Sequence, residues 1–106
     1  MRKTINSKAK GKRGELEFRD ELRLRGYSTA RRGQQYSGAS GDPDVICDEL
    51  SDFHFEVKRV EAGSLYKWLE QAKNAAREGQ TPVVAHRRSR KQWVVVLDLN
   101  DFLKLI

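Results

Sequence analysis

Three side chains in this sequence have the types and spacing to act on a phosphate. Asp44 follows Pro43 and opens the apolar run Val45-Ile46-Cys47. Glu56 and Lys58 interrupt a second apolar stretch, from Phe53 to Val60. A strand alternates its side chains, so Glu56 and Lys58 share one face while Phe55 and Val57 share the other. The linker from Asp48 to Asp52 carries turn formers and can fold the two runs into a hairpin, bringing Asp44 near Glu56 and Lys58. Two carboxylates and an ammonium converging at strand ends make a site for a hard divalent cation and a phosphate.

The flanking elements must hold these groups in place. Upstream, the pattern predicts a helix from Gly11 or Lys12 to Arg25, stopped by Gly26. Phe18 and Leu22 form its inward stripe. Glu15 lies at the edge of that stripe, where an acid is costly without a partner. It either pairs with Arg19 one turn on, worth a few tenths of a kcal/mol, or helps to hold a metal or a water. Glu17 is expected to point elsewhere, toward Glu21 and Leu24. Tyr27 to Arg32 reads as a short strand ending in Arg31-Arg32. The stretch from Gly33 to Pro43, rich in glycine and small hydroxyl side chains, reads as a loop. It is not a Walker loop, because no Gly-Lys-Ser/Thr follows, yet such a backbone can approach a phosphodiester closely. Pro43 fixes its own φ and sets Asp44 at a defined point, whereas Asp42 reads as a cap or turn residue.

Downstream, a helix is expected from Ser64, its N-cap, to Glu78, with Gly79 as its stop. Leu65, Trp68, Leu69, Ala72 and Ala76 form its apolar stripe, and Gln71 lies beside it. Gln71 is either an exposed helix former or reaches back to the site. Thr81 to His86 and Gln92 to Leu99 read as a strand pair around the basic tip Arg87-Arg88-Ser89-Arg90-Lys91. Such a tip serves either solubility or phosphate contacts. A short last helix, from Asn100 as N-cap to Ile106, carries Phe102, Leu103, Leu105 and Ile106. Cys47 reads as a small buried hydrophobe, His54 as a structural histidine or a group at the substrate rim, and Trp93 as packing.

Composition bounds the function. The chain has 106 residues with 21 Lys and Arg against 15 Asp and Glu, net +6. That length suits one domain spanning residues 1–106, with residues 1–10 as a flexible basic arm. Met1 to Arg13 holds basic residues and no acidic one, and is either a solvated terminus or a phosphate-contacting arm. A polyanion is the natural partner of such a chain. One cysteine excludes a disulfide framework. No apolar segment approaches the ~20 residues that cross a bilayer, and the N-terminus lacks the apolar core of a signal peptide, so an intracellular, cytoplasmic protein without membrane partners is expected. The order of elements implies an α/β fold with a mixed central sheet flanked by helices.

Pro43-Asp44 followed twelve positions later by Glu56-Val57-Lys58 resembles the PD-(D/E)XK nuclease superfamily. Lys10-Gly11-Lys12-Arg13-Gly14-Glu15 is similar to the glutamate-bearing first helix of its Holliday junction resolvases. The loop before Pro43 and the Gln71 helix are similar to resolvase-like and VRR-Nuc nucleases, and the chain looks most like small phage-type members, over roughly Lys10 to Leu99. The resemblance implies a restriction-endonuclease-like core and a Mg2+-dependent DNA endonuclease, with Mn2+ able to substitute. It is expected to be selective for branched DNA, homodimeric, and at work in a phage-infected host cell. It further implies that Asp44 and Glu56 bind the metal with the Val57 carbonyl. Glu15 would bind or orient it through water, Lys58 would position or activate the attacking water, and Gln71 would steady that water or Lys58. Ser37 or Ser40 would contact phosphate, and Lys12, Arg13, Arg31, Arg32, Arg87, Arg88, Arg90 and Lys91 would bind nucleic acid. Two other readings compete: a non-catalytic nucleic-acid-binding module that retains the fold, and a small basic interaction protein whose acids form surface ion pairs worth roughly 0–1 kcal/mol.

Overall fold

The computed structural model describes residues 7–33 and 43–106, with side chains from residue 10 onward. Ser37, Ser40 and Asp42 lie outside the described residues. Helix α1 spans Ser7–Leu24 and starts before the expected Gly11. Lys8, Ala9 and Lys10 are good helix formers, and Gly11 is tolerated within their run. The helix ends as expected: Gly26 adopts φ +99, Gly26 N donates to Arg23 O, and Tyr27 N donates to Leu22 O. That pair of bonds is a Schellman close, which a glycine at this position permits.

Strand β1 is only Arg31–Arg32, because Tyr27 to Ala30 is taken up by a turn that Ala30 N closes onto Tyr27 O. Strand β2 is Val45–Ile46 and β3 is Phe53–Arg59. Between them Asp48–Leu50 forms one 3-10 turn, so the expected hairpin forms. Helix α2 spans Leu65–Ala75, with the Ser64 hydroxyl accepting from Lys67 N as N-cap. It ends before the expected Glu78. Gln80 N donates to Arg77 O while Arg77 N donates to Gln80 Oε1, and this local turn, with Gly79 at φ +88, competes with helix continuation. Strands β4 (Thr81–Arg87) and β5 (Val94–Val96) follow, then helix α3, Leu99–Lys104. Asp98, not Asn100, is the N-cap residue of α3, and its carboxylate is paired with Lys73 rather than with the helix backbone.

Among the described residues the strands form one mixed sheet in the order β1-β2-β3-β4-β5. β3 and β4 are parallel and the other pairs antiparallel. With helices on the sheet, this is the α/β, restriction-endonuclease-like architecture that the resemblance implies. β3 is the spine of the molecule, paired on both edges and packed on both faces. Phe55 and Val57 face α1, where Phe18 and Leu22 meet them with Val83 and Ala85. Phe18 packs edge-on to Phe55 with centroids 5.3 Å apart and lies 5.0 Å from Trp93. Each such buried side chain contributes on the order of 1.5–3 kcal/mol. On the opposite face, Val84 packs beneath Leu69 and Ala72 of α2. Two glycines set close approaches. A Cβ on Gly14 would lie 2.7 Å from Arg59 Cβ, and one on Gly33 would lie 1.8 Å from Pro43 O. The first lets α1 seat on β3, and the second lets the chain at Gly33 meet the residue before Asp44. No helix of the described residues is long and apolar enough to cross a membrane.

Candidate active site at the β2–β3 edge

Asp44 sits at the head of β2, and its backbone N–H donates to Phe55 O at 2.9 Å. β2 is too short to satisfy the next donor along β3. The Asp44 carboxylate does so instead: Oδ2 accepts from Val57 N at 2.8 Å. A residue's N–H and C=O leave a strand on the same edge, so the Val57 carbonyl also faces this side.

Glu56 projects from the α2 face of β3, in register with buried Val84. Its side chain is only 10% exposed, with Lys58 Nζ at 3.9 Å from Oε2 and His54 Nε2 at 3.9 Å from Oε1. Burial pushes the Glu56 carboxyl up to about 7, helped by the nearby charge of Asp44, opposed by Lys58 and raised again by Glu15. The Asp44 and Glu56 carboxyls are close enough to share a hydrogen bond. This is not a surface ion pair. It is a desolvated carboxyl held against a second one with a single lysine for compensation.

Glu15 comes in from α1. Its carboxylate accepts from Arg32 Nε at 2.8 Å and is 12% exposed. Burial raises its pKa, the Arg32 hydrogen bond opposes this, and Asp44 raises it further. Of the two readings of Glu15, the pairing with Arg19 does not form: Arg19 bonds Asp20 at 2.7 Å. Arg32 reaches across from β1 to α1, whereas the Arg19 guanidinium is engaged by its sequence neighbour Asp20. The carboxyls of Glu15, Asp44 and Glu56 thus feel one another electrostatically. They are not gathered tightly enough to form a group of three metal-ligating side chains among the described residues. The donor set that fits Mg2+ is the Asp44–Glu56 pair with a backbone carbonyl and water, since that ion keeps several waters and needs one or two carboxylates. A divalent cation would relieve the repulsion between the buried Glu56 carboxyl and its half-buried neighbour Asp44.

Beyond Lys58 a cleft of about 320 Å³ opens between α1 and the end of β3, lined by Lys10, Gly11, Gly14, Lys58, Arg59 and Val60 among others. Lys12 and Arg13 are exposed on the same end of α1. The other basic residues separate into two sets. Arg31 is paired with Asp48 at 3.1 Å, Arg32 with Glu15, and Arg87 with Glu17. Arg88, Arg90 and Lys91 are exposed at the β4–β5 turn. Gln71 is exposed on α2 with Lys67, Glu70 and Asn74 around it. His54 is fully buried, so it is not at a substrate rim. Cys47 is buried as expected and donates to Glu49 Oε1.

Glu17 corrects a sequence expectation. It does not point toward Glu21 and Leu24. It accepts from Arg59 Nε at 3.1 Å and from Arg87 Nη1, joining α1 to the ends of β3 and β4. Arg59 and Arg87 are register partners in the parallel pair, and two adjacent guanidinium groups on one sheet face call for an acid above them. No spacing within α1 carries that signal.

The chain is 32% identical to Protein D14 of Escherichia phage T5 over 122 aligned residues, covering 92% of this chain and 74% of that protein. No solved structure matches. Residues 6–106 match the family model described as "Phage putative PDDEXK endonuclease", and the chain belongs to that family of PD-(D/E)XK nucleases.

Proposed function

We propose that this protein is a Mg2+-dependent DNA endonuclease, with Mn2+ able to substitute, that hydrolyses phosphodiester bonds at the Asp44–Glu56–Lys58 site. The observation that carries the reading is the buried Glu56 carboxyl, raised to about 7 by burial and by Asp44 with Lys58 3.9 Å away. Displaced pKa values of this kind concentrate at functional sites, because an unrelieved carboxylate pair is costly to keep in a fold.

The side chains take the following roles. Asp44 and Glu56 hold the ion from two strands, with the Val57 carbonyl on the same edge. When bound, Mg2+ supplies positive charge against the negative charge that builds up on the phosphate. Lys58 places a compact ammonium beside the scissile phosphate and holds the attacking water by hydrogen bonding. Glu15, fixed by Arg32, orients water at the rim of the site, and Gln71 steadies the water or Lys58. Lys12, Arg13, Arg88, Arg90 and Lys91, with Ser37 or Ser40, contact the DNA backbone, supplying sequence-independent affinity. Arg31, Arg32 and Arg87 already have carboxylate partners, so they add less to DNA affinity than the cations unpaired among the described residues do.

The substrate class within this reading is branched DNA cut by a homodimer. Support for the dimer comes from the apolar face of β5 and α3, where Val95, Leu99, Phe102, Leu103 and Leu105 are about half exposed or more. Val94 to Val96 form an outer strand of the sheet, able to pair antiparallel with its symmetry mate. The test is a cleavage panel of junction, flap, nicked and linear duplex DNA with Mg2+ or EDTA, alongside mass in solution by light scattering. Mg2+-dependent cutting that is lost in Asp44→Ala supports the nuclease. Salt-sensitive binding without cutting under any divalent ion favours the binding module. Equal cutting of linear and branched DNA, or a monomer, removes the finer reading alone.

A further inference from the structure

The turn after β4 is built more firmly than a solubility loop requires. Glu61, just past the catalytic strand, holds it from below: Ser89 N and Ser89 Oγ both donate to Glu61 Oε2, at 3.0 and 2.8 Å. Ser89 N also reaches Glu61 Oε1 at 3.2 Å. Arg87 Nε donates to Lys91 O, and Lys91 N closes the turn onto Arg88 O at 3.2 Å. Arg59, whose Nη1 lies 3.2 Å from Glu61 Oε2, ties the same acid to the sheet. The hydrogen bonds from Ser89 hold the Glu61 carboxylate below its ordinary pKa. At the apex Arg90 adopts φ 65, the left-handed conformation, and among the described residues no other non-glycine residue does so. Glycine takes that conformation at lower cost than any branched side chain. An arginine kept there points to a use for its side chain.

The position of the turn is informative. Arg59 and Arg87 are register partners, so the turn starts one strand over from the catalytic lysine. At roughly 3.3 Å of rise per residue, its apex lies on the order of 10 Å beyond Lys58. That is about three base-pair steps of a duplex at 3.4 Å per step.

We propose that Arg88 to Lys91 is a preformed clamp for the DNA sugar-phosphate backbone, and that Glu61 is a positioning residue that locks it at a fixed distance from the site of cleavage; this rests on the nuclease reading. Glu61 acts through Ser89 and contacts no substrate. The arrangement makes a sign prediction that bulk charge does not. Removing an acid from a basic surface strengthens DNA binding if only net charge counts. Removing this acid weakens binding, because three cations lose their common scaffold.

The experiment is binding of a labelled linear duplex in EDTA, followed by fluorescence anisotropy across a KCl series, with steady-state cleavage in Mg2+ as a companion. Glu61→Ala binds about 3–10-fold more weakly, with its cleavage defect in KM rather than kcat, and Ser89→Ala shows a smaller loss in the same direction. Arg90→Gly keeps or raises Tm while the slope of log K against log[salt] falls by about 0.9, the loss of one phosphate contact. Unchanged or tighter binding by Glu61→Ala, or an unchanged slope in Arg90→Gly, overturns the proposal while leaving the nuclease standing if the wild type still cuts. Absence of duplex binding by the wild type at every salt concentration overturns both.

Discussion

Replacing Glu56 by glutamine separates stability from activity at the centre of the site. The Glu56 carboxyl has an ordinary value of 4.5 and is raised to about 7 in the folded chain. A group whose folded pKa is raised contributes stability that is complete below its unfolded value and is lost as pH rises through the folded one. The window is therefore pH 4.5 to about 7. Raising a carboxyl over that range corresponds to about 3 kcal/mol. The site is open on the Lys58 side, and solvent screening there reduces the realised figure to about 1–2 kcal/mol. Above pH 7.5 the metal-free protein carries that cost in full. Glu56→Gln keeps the volume and removes the charge, so at pH 8 in EDTA its Tm should exceed that of the wild type by roughly 5–15 °C. At pH 5, where wild-type Glu56 is protonated, the difference should shrink toward zero. Mg2+ at pH 8 should raise the Tm of the wild type by mass action and leave that of Glu56→Gln unmoved. Circular dichroism melts at the two pH values, with and without the ion, give all of these comparisons. A variant no more stable than the wild type at pH 8, or equally stabilised at both pH values, refutes the claim that Glu56 is held as a strained buried carboxyl.

Four further outcomes follow from the same geometry. Metal-supported cleavage should rise with pH through about 7, because bound metal needs the ionised Glu56 carboxyl; a profile flat from pH 6 to 8 would count against that carboxyl as a ligand. Lys58→Ala should lower the single-turnover cleavage rate by about 100-fold or more, while duplex affinity in EDTA changes only about threefold, the weight of one phosphate contact. Gly14→Ala brings a Cβ to 2.7 Å from Arg59 Cβ and should cost about 1–3 kcal/mol in urea unfolding as α1 lifts from β3. Phe18→Ala opens the space between Phe55 and Trp93 and should cost about 3–5 kcal/mol, enough to bring a domain of this size near the edge of stability, as a shifted urea midpoint would show.

Much of the site was legible because it is written in short-range pattern. Alternation along Phe53 to Arg59 places Glu56 and Lys58 on one face, a turn follows β2, and Pro43 anchors Asp44. Gly26 and Ser64 punctuate the helices by chemistry that acts within a few residues. The helix boundaries that went astray, the end at Glu78 and the start at Asn100, are positions where two local hydrogen-bonding options compete and the tertiary setting selects one. Asp98 serves Lys73 on a different helix, and no local rule reports that.

What only the folded chain decided is the partnership of charges. Nothing in the sequence separates Arg32 from Arg31, yet the sheet turns Arg32 inward to Glu15 and leaves Arg31 at the surface with Asp48. Glu17 looks like any solvated helix acid until the parallel pairing of β3 and β4 sets Arg59 and Arg87 beneath it. The reason is physical. Residue type and spacing determine which groups can ionise and which face they share, but the cost of a charge depends on its burial and its neighbours, and both are set by contacts between residues far apart in the chain. Asp44, Glu56 and Lys58 were identifiable as a chemical set from the sequence by itself. That the Glu56 carboxyl is buried beside Asp44 and raised to about 7 is a property of the tertiary structure.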